Sequence, residues 1–256
     1  MTDAKLREML RAQLAADYNC FAEDFDNNNT LITTRAADPR RRMYEEDDGI
    51  ASFLIYEDKL VITAEEEFLD AAAEFFEHAE SEWAFEVSEL SALDRLLAGF
   101  GFELGAARVG YIPRSRRLDI DKIEGVELLE GESLDFFRGD KRFSEALLFS
   151  RVAPDMLAAA YKNDRGEILG MAGASRNSAS MWEMGVNVVP EARREGIGSM
   201  LVAALADEVL KRGRLPYFNC CMSHIAAQRT ALAAGLVPAF CEVRSFPARG
   251  ESPFED

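Results

Sequence analysis

Hydrophobic and polar positions along the chain fall into blocks whose period changes from helical to extended and back. Between Lys5 and Ala16, Leu6, Met9, Leu10 and Leu14 recur at three- and four-residue intervals, which predicts an amphipathic opening helix. Residues 26–48, with DNNNT and DPRRRMYEEDDG, are polar and charged and read as loop or edge structure. IASFLIY and LVITA, separated by Glu57, Asp58 and Lys59, predict two short strands joined by a tight turn. Helical patterns follow over residues 65–80 and 88–98, the second closed by Gly99 and Gly101, and FELGAARVGYIP reads as one strand ended by Pro113.

The stretch RSRRLDIDKIEGVELLEGES is charged and poor in periodic apolar positions, so it suggests a boundary between an N-terminal α/β domain, residues 1–116, and a C-terminal domain, residues 117–256. After it the pattern restarts. MLAAAY and EILGMAGAS flank the turn KNDRG, a hairpin signal, and MWEMGVNVV predicts a third strand ending at Pro190. A helix from about Ser199 to Arg212 is expected from Leu201, Val202, Leu205, Val209 and Leu210, with Gly213 as its stop. LPYFNCCM, HIAAQRTALAA and LVPAFCEVRSF then predict strand, helix and strand. The order β-β-β-α-β-α-β is that of a mixed α/β (α+β) fold.

At 256 residues, with 48% hydrophobic and 29% charged positions, the chain is long enough for one large or two modest cores, and disorder is excluded as its main state. The net charge of −17 repels nucleic acid and anionic membrane surfaces and suits a cationic partner. Cysteines 20, 220, 221 and 241 show no CxxC or Cys/His spacing, so neither a metal site nor a disulfide framework is expected. The first residues mix charges through their apolar positions and resemble neither a signal peptide nor a span. A cytoplasmic protein is expected.

One motif carries candidate chemistry. In RREGIGSM, residues 193–200, two glycines precede the apolar helix. A turn with close backbone approach, feeding a helix N-terminus, aims unpaired N–H groups and the helix dipole at one spot, as a phosphate-bearing ligand requires. The pattern GxxxxGK[ST] is absent, and GxGxxG fails because Leu201 occupies the third glycine position. A glycine-rich turn without a ligand is the alternative reading of the bare pair.

VNVVPEARREGIGSMLVAAL, followed by a strand and then SHIAAQRTALAAGL, resembles the GNAT acetyltransferase superfamily, whose signature [RQ]-x-x-G-x-[GA] is matched by Arg193, Gly196 and Gly198. The likeness covers roughly residues 119–246 and is closest to a two-part bacterial branch with an extra N-terminal half. It implies a mostly antiparallel central sheet flanked by helices, and an N-acetyltransferase that moves the acetyl group of acetyl-CoA directly to a primary amine of a small molecule or peptide. The implied coenzyme contacts are the signature residue Arg193, the backbone N–H groups of Arg194, Glu195, Gly196, Ile197, Gly198 and Ser199 for the pyrophosphate, Val186, Asn187 and Val188 for the pantetheine arm and acetyl carbonyl, and Ser223 and His224 at the start of the next helix. No metal is implied, and the sequence allows a homodimer as well as a monomer.

This sequence departs from the family where a tyrosine often serves as acid toward the thiolate: that position is Ala231, and the preceding asparagine position is His224. A coenzyme A or acyl-CoA-binding sensor or scaffold without turnover therefore stays open as the alternative. Ser223 is the better helix cap of the two. Glu183 lies on an otherwise apolar strand, facing away from Trp182 and Met184, and is the candidate base. Cys220 and Cys221 alternate across a buried strand, so one of them could face the cleft, and Cys220 is carried as a second catalytic candidate. The N-terminal half has no comparable motif; a decayed acetyltransferase-like repeat and an unrelated α/β module both fit its order of elements.

Overall fold

The computed structural model describes residues 1–114 and 123–248. In chain order the elements are α1 (Asp3–Asp17), β1 (Leu31–Thr34), β2 (Ala51–Tyr56), β3 (Lys59–Ala64), α2 (Leu69–Phe75), α3 (Val87–Ala98), β4 (Phe102–Leu104), β5 (Arg108–Pro113), β6 (Val126–Glu130), α4 (Glu132–Asp135), β7 (Asp155–Lys162), β8 (Ile168–Ser175), β9 (Met181–Val188), α5 (Ile197–Lys211), β10 (Leu215–Cys221), α6 (Ile225–Ala233) and β11 (Leu236–Pro247). The fold is mixed α/β with mostly antiparallel strand pairs, as expected.

Two compact units share these elements. One comprises Met1–Gln13, Arg40–Glu45 and Gly110–Pro238; the other comprises Leu14–Pro39, Glu46–Val109 and the chain from Ala239. The expected cut at 116/117 lies outside the described residues, and the observed units interleave instead of following one another. Hydrophobic period identifies a strand but not its partner, so the pairing of β11 with β2 was invisible to it.

In the unit holding most of the N-terminal half, the strand order is β1-β3-β2-β11, with β4 also on β11. β1 runs parallel to β3, and β3–β2, β2–β11 and β4–β11 are antiparallel. Phe53, Leu60, Ile62, Phe68, Leu93 and Leu97 are among the buried side chains of its core. The sequence missed the break of its expected strand 102–113 at Gly105, whose N–H bonds the Arg244 carbonyl at 2.8 Å. The pattern over 65–80 yields a 3-10 turn at Glu66–Phe68 and then the short α2. Burial pushes the thiol of Cys20 up to about 11 and that of Cys241 up to about 12, with Asp24 and Glu242 respectively adding to the effect.

In the other unit the order is β5-β10-β9-β8-β7-β6. β6, β7, β8 and β9 form antiparallel pairs, and β9 and β10 are parallel. β6 falls in the segment expected to lack periodicity, because its five residues, Val-Glu-Leu-Leu-Glu, carry no alternation of apolar and polar positions. Helix α5 packs on β7, β8, β9 and β10. Its Leu201, Val202, Leu205 and Val209 are fully buried, each contributing at most about 1.5–3 kcal/mol.

The same helix buries Glu208. Its carboxylate accepts from Lys211 Nζ at 2.5 Å and from Arg212 Nη1 at 2.8 Å, and Arg212 also bonds Glu130. Desolvation raises the Glu208 pKa, but the two cations outweigh it and hold the group below its ordinary value.

Candidate functional site

Strands β9 and β10 separate partway along their length. Their ladder runs from Leu215–Met181 to Phe218–Met184. Beyond that rung β9 stays paired with β8 through Val188–Gly170, while Asn219, Cys220 and Cys221 of β10 have no rung with β9 among the described residues. The consequence is a wedge whose β9 wall, from Gly185 to Val188, is only half-buried although Met184 just before it is buried.

The turn after β9 opens onto one face of this wedge. A Cβ on Gly198 would lie 3.4 Å from Val188 Cγ2 and 3.8 Å from Val186 Cγ2, so the first turn of α5 covers the face that carries these valines. The two motif glycines differ in purpose. Gly196 is in the left-handed region at φ 85°, with open space where a Cβ would be, whereas Gly198 would meet ordinary contacts. Arg194 is also left-handed, at φ 69°. Among the described residues, the N–H groups of Arg194, Glu195, Gly196, Ile197, Gly198 and Ser199 donate to no backbone carbonyl, so they and the α5 dipole form a cradle that fits an anion.

Several side chains around this cradle bond within the protein. Arg193 turns its Nε back to the Val188 carbonyl at 3.0 Å, and Ser199 Oγ donates to the Gly196 carbonyl at 2.9 Å; both brace the turn. Ile197 is buried, while Arg194 and Glu195 are exposed. Asn187 Oδ1 accepts from the N–H groups of Glu145 at 2.8 Å and Ala146 at 2.9 Å, so its side chain clamps a crossing segment. His224, not Ser223, is the N-cap residue of α6, and its side chain makes no cap bond; Ser223 lies one position too early and is exposed. Ala231 is fully buried.

Glu183 lies on the opposite face of β9 from Val186 and Val188. Its register partner is Tyr217, whose hydroxyl donates to Glu183 Oε2 at 2.8 Å. Asn177 Nδ2 donates to the same oxygen at 3.2 Å, and Asn177 Oδ1 accepts from the Glu183 N–H at 3.1 Å. Above Tyr217 is the buried Arg42, its guanidinium 5.4 Å from that ring centroid and 5.8 Å from the Tyr44 ring.

Sequence reasoning missed Tyr217, Asn177 and Arg42. Tyr217 was legible only as a strand residue, since its rung depends on register. Arg42 stood in a charged run of the kind that usually faces solvent. Strand alternation puts Cys220 with Phe218 on the face away from Glu183 and Tyr217, and Cys221 with Tyr217. Cys220 and Glu183 are therefore not brought together. No disulfide joins the four cysteines. Among the described residues there is no His/Cys/Asp/Glu group that could hold a metal, and no helix long and apolar enough to cross a membrane.

Residues 125–235 match the model of the acetyltransferase (GNAT) family. Among solved structures, a GCN5-related N-acetyltransferase from Sphaerobacter thermophilus is 15% identical over 95% of this chain and 93% of its own, with a TM-score of 0.48. A GNAT-family protein from Novosphingobium aromaticivorans is 18% identical over 58% and 68%, with a TM-score of 0.46. A GNAT-family acetyltransferase from Colwellia psychrerythraea is 13% identical over 74% and 77%, also at 0.46. No curated protein matches the chain.

Proposed function

We propose, from the match of residues 125–235 to the GNAT acetyltransferase family, that the chain moves the acetyl group of acetyl-CoA directly to a primary amine of a small molecule or peptide. The observation that carries this reading is the β9–β10 wedge, with an anion cradle on one face and a hydrogen-bonded carboxylate on the other.

The residues present fit coenzyme A. Unsatisfied N–H groups at 194–199 suit a pyrophosphate, and the half-buried Gly185–Val188 edge suits an extended amide-bearing arm. The coenzyme supplies a thioester carbonyl. The chain's contribution is to hold the amine beside it and remove a proton. At neutral pH an alkylamine of pKa near 10 is only about 0.1% unprotonated, so a carboxylate that accepts its proton within the wedge matters. Glu183 is that base. Holding both reactants in one cleft supplies a larger factor, since oriented groups reach effective molarities of roughly 10⁵ M or more. The thiolate takes its proton from water, from the Cys221 thiol or from the amine's own proton, because Ala231 has none to give.

Acetyl-CoA consumption across a panel of primary amines, with product mass confirmed, tests the reading. Turnover of at least one amine is expected. The buried Ala231 favours a second reading, a coenzyme A-binding sensor or scaffold, and tight coenzyme A binding with no amine turned over would select it.

A further inference from the structure

Glu183 is not held by its own strand alone. Tyr217 Oη and Asn177 Nδ2 both donate to one carboxylate oxygen, Oε2, at 2.8 and 3.2 Å. Both donors are themselves secured by Arg40–Glu45, a segment far away in sequence that belongs to the same compact unit. The Met43 N–H donates to the Asn177 carbonyl at 2.7 Å, and Asn177 Nδ2 reaches the Met43 carbonyl at 3.4 Å. Arg42, only 3% exposed, lays its guanidinium over the Tyr217 ring.

The segment is tied at both ends. Gln13 Nε2 of α1 donates to the Arg40 carbonyl at 2.8 Å, and the Arg151 N–H donates to Glu45 Oε1 at 3.0 Å. Gln13 Oε1 also accepts from Ser178 Oγ at 2.7 Å, next to Asn177. A hydrogen-bonded network of this kind over-determines the position of the carboxylate it ends on.

Resting on the acetyl-transfer reading above, we propose that Tyr217 is a positioning residue for Glu183, itself held by Arg42, so that the Arg40–Glu45 strap sets the orientation in which the carboxylate meets the incoming ammonium. Tyr217 forms and breaks no bond in this role. Its hydroxyl fixes Oε2 while the proton passes from the ammonium to Glu183, and its ring is the platform through which the strap acts. Polar groups at the carboxylate include Tyr217 from β10 and Asn177 from the β8–β9 turn, with Arg42 of the strap over the Tyr217 ring and Asp155 one strand further, bonded to Ser175 in the rung beside Glu183.

The test compares Tyr217→Phe, Arg42→Lys and the unmodified protein. Phe keeps the ring under Arg42 and removes only the hydroxyl, and Lys keeps the charge but loses the planar face. The first readout is carboxyl ¹³C NMR titration of Glu183 in the full chain without ligand. Tyr217→Phe should shift its midpoint upward, since a bond to the charged form is lost, and Arg42→Lys should broaden or shift it less. The second is steady-state kinetics with acetyl-CoA and ethanolamine, putrescine, spermidine and L-lysine. For any amine used by the unmodified protein, kcat in Tyr217→Phe should fall roughly ten- to a hundredfold and its pH profile should move, with KM for acetyl-CoA unchanged. An unmoved Glu183 titration, or kcat within twofold at every pH, overturns the positioning role. If the titration shifts while no amine is acetylated by the unmodified protein, the acetyl-transfer reading fails and the hold on Glu183 stands.

Discussion

Gly185 of β9 lies directly under Glu145: a Cβ at position 185 would come within 1.7 Å of the Glu145 carbonyl oxygen. The crossing segment that makes this approach is held by Asn187 Oδ1, two residues further along the same face. Gly185→Ala should therefore force backbone apart and cost about 1–3 kcal/mol, read from urea unfolding midpoints. An unchanged midpoint would mean that the 145–146 segment yields without cost.

The two motif glycines should respond with opposite signs. Gly196→Ala puts a side chain at φ 85° and should lower stability by about 1–2 kcal/mol, even though the space is open. Gly198→Ala, in the first turn of α5 with its nearest contact at 3.4 Å, should be neutral or stabilising by up to about 1 kcal/mol. Gly198→Val should leave the thermal midpoint of the unliganded protein nearly unchanged and abolish coenzyme A binding by calorimetry. Retained binding would make the glycine pair a plain turn.

Glu183→Gln preserves shape and hydrogen-bonding atoms while removing the base. Turnover should drop by roughly 10² or more, with little change in coenzyme A affinity. Full turnover across pH 6 to 9 would take Glu183 out of the reaction.

The buried Glu208 gives a pH prediction. Its folded pKa lies below the ordinary 4.5, so its stabilising contribution is complete above that value and disappears as pH falls through the folded value. Glu208→Gln should be less stable than the unmodified protein at pH 7, and the gap in thermal midpoint should close progressively below about pH 4.5. A gap that stays constant down to pH 3 would show that the ion pairs with Lys211 and Arg212 contribute nothing measurable.

Local period and turn chemistry made much of the segment 125–235 legible. The hairpin β7–β8, the strand β9, the helix α5 and the placement of Glu183 away from Trp182 and Met184 all follow from residues within about ten positions of each other. What stayed hidden depends on register and on distant pairing. Tyr217 could be put opposite Glu183 only once Leu215 was known to pair with Met181. Arg42 looked like one member of a solvated basic run because nothing near it in sequence offers an aromatic platform except Tyr44. The resemblance puts Asn187 among the coenzyme contacts and gives no sign that its side-chain oxygen takes the N–H groups of a crossing backbone, a pairing that a half-buried amide favours.

Ser245 Oγ accepts from the Ala51 N–H at 2.9 Å and donates to the Ala51 carbonyl at 3.0 Å, across 194 residues of chain. During synthesis, β2 and its apolar side chains must wait for β11, with the β2 edge that β11 covers unpaired until that distant strand has been made. At translation speeds of about 5–20 residues per second the wait lasts on the order of ten seconds or more, long against hairpin formation and long enough for a holding chaperone to bind the nascent strand.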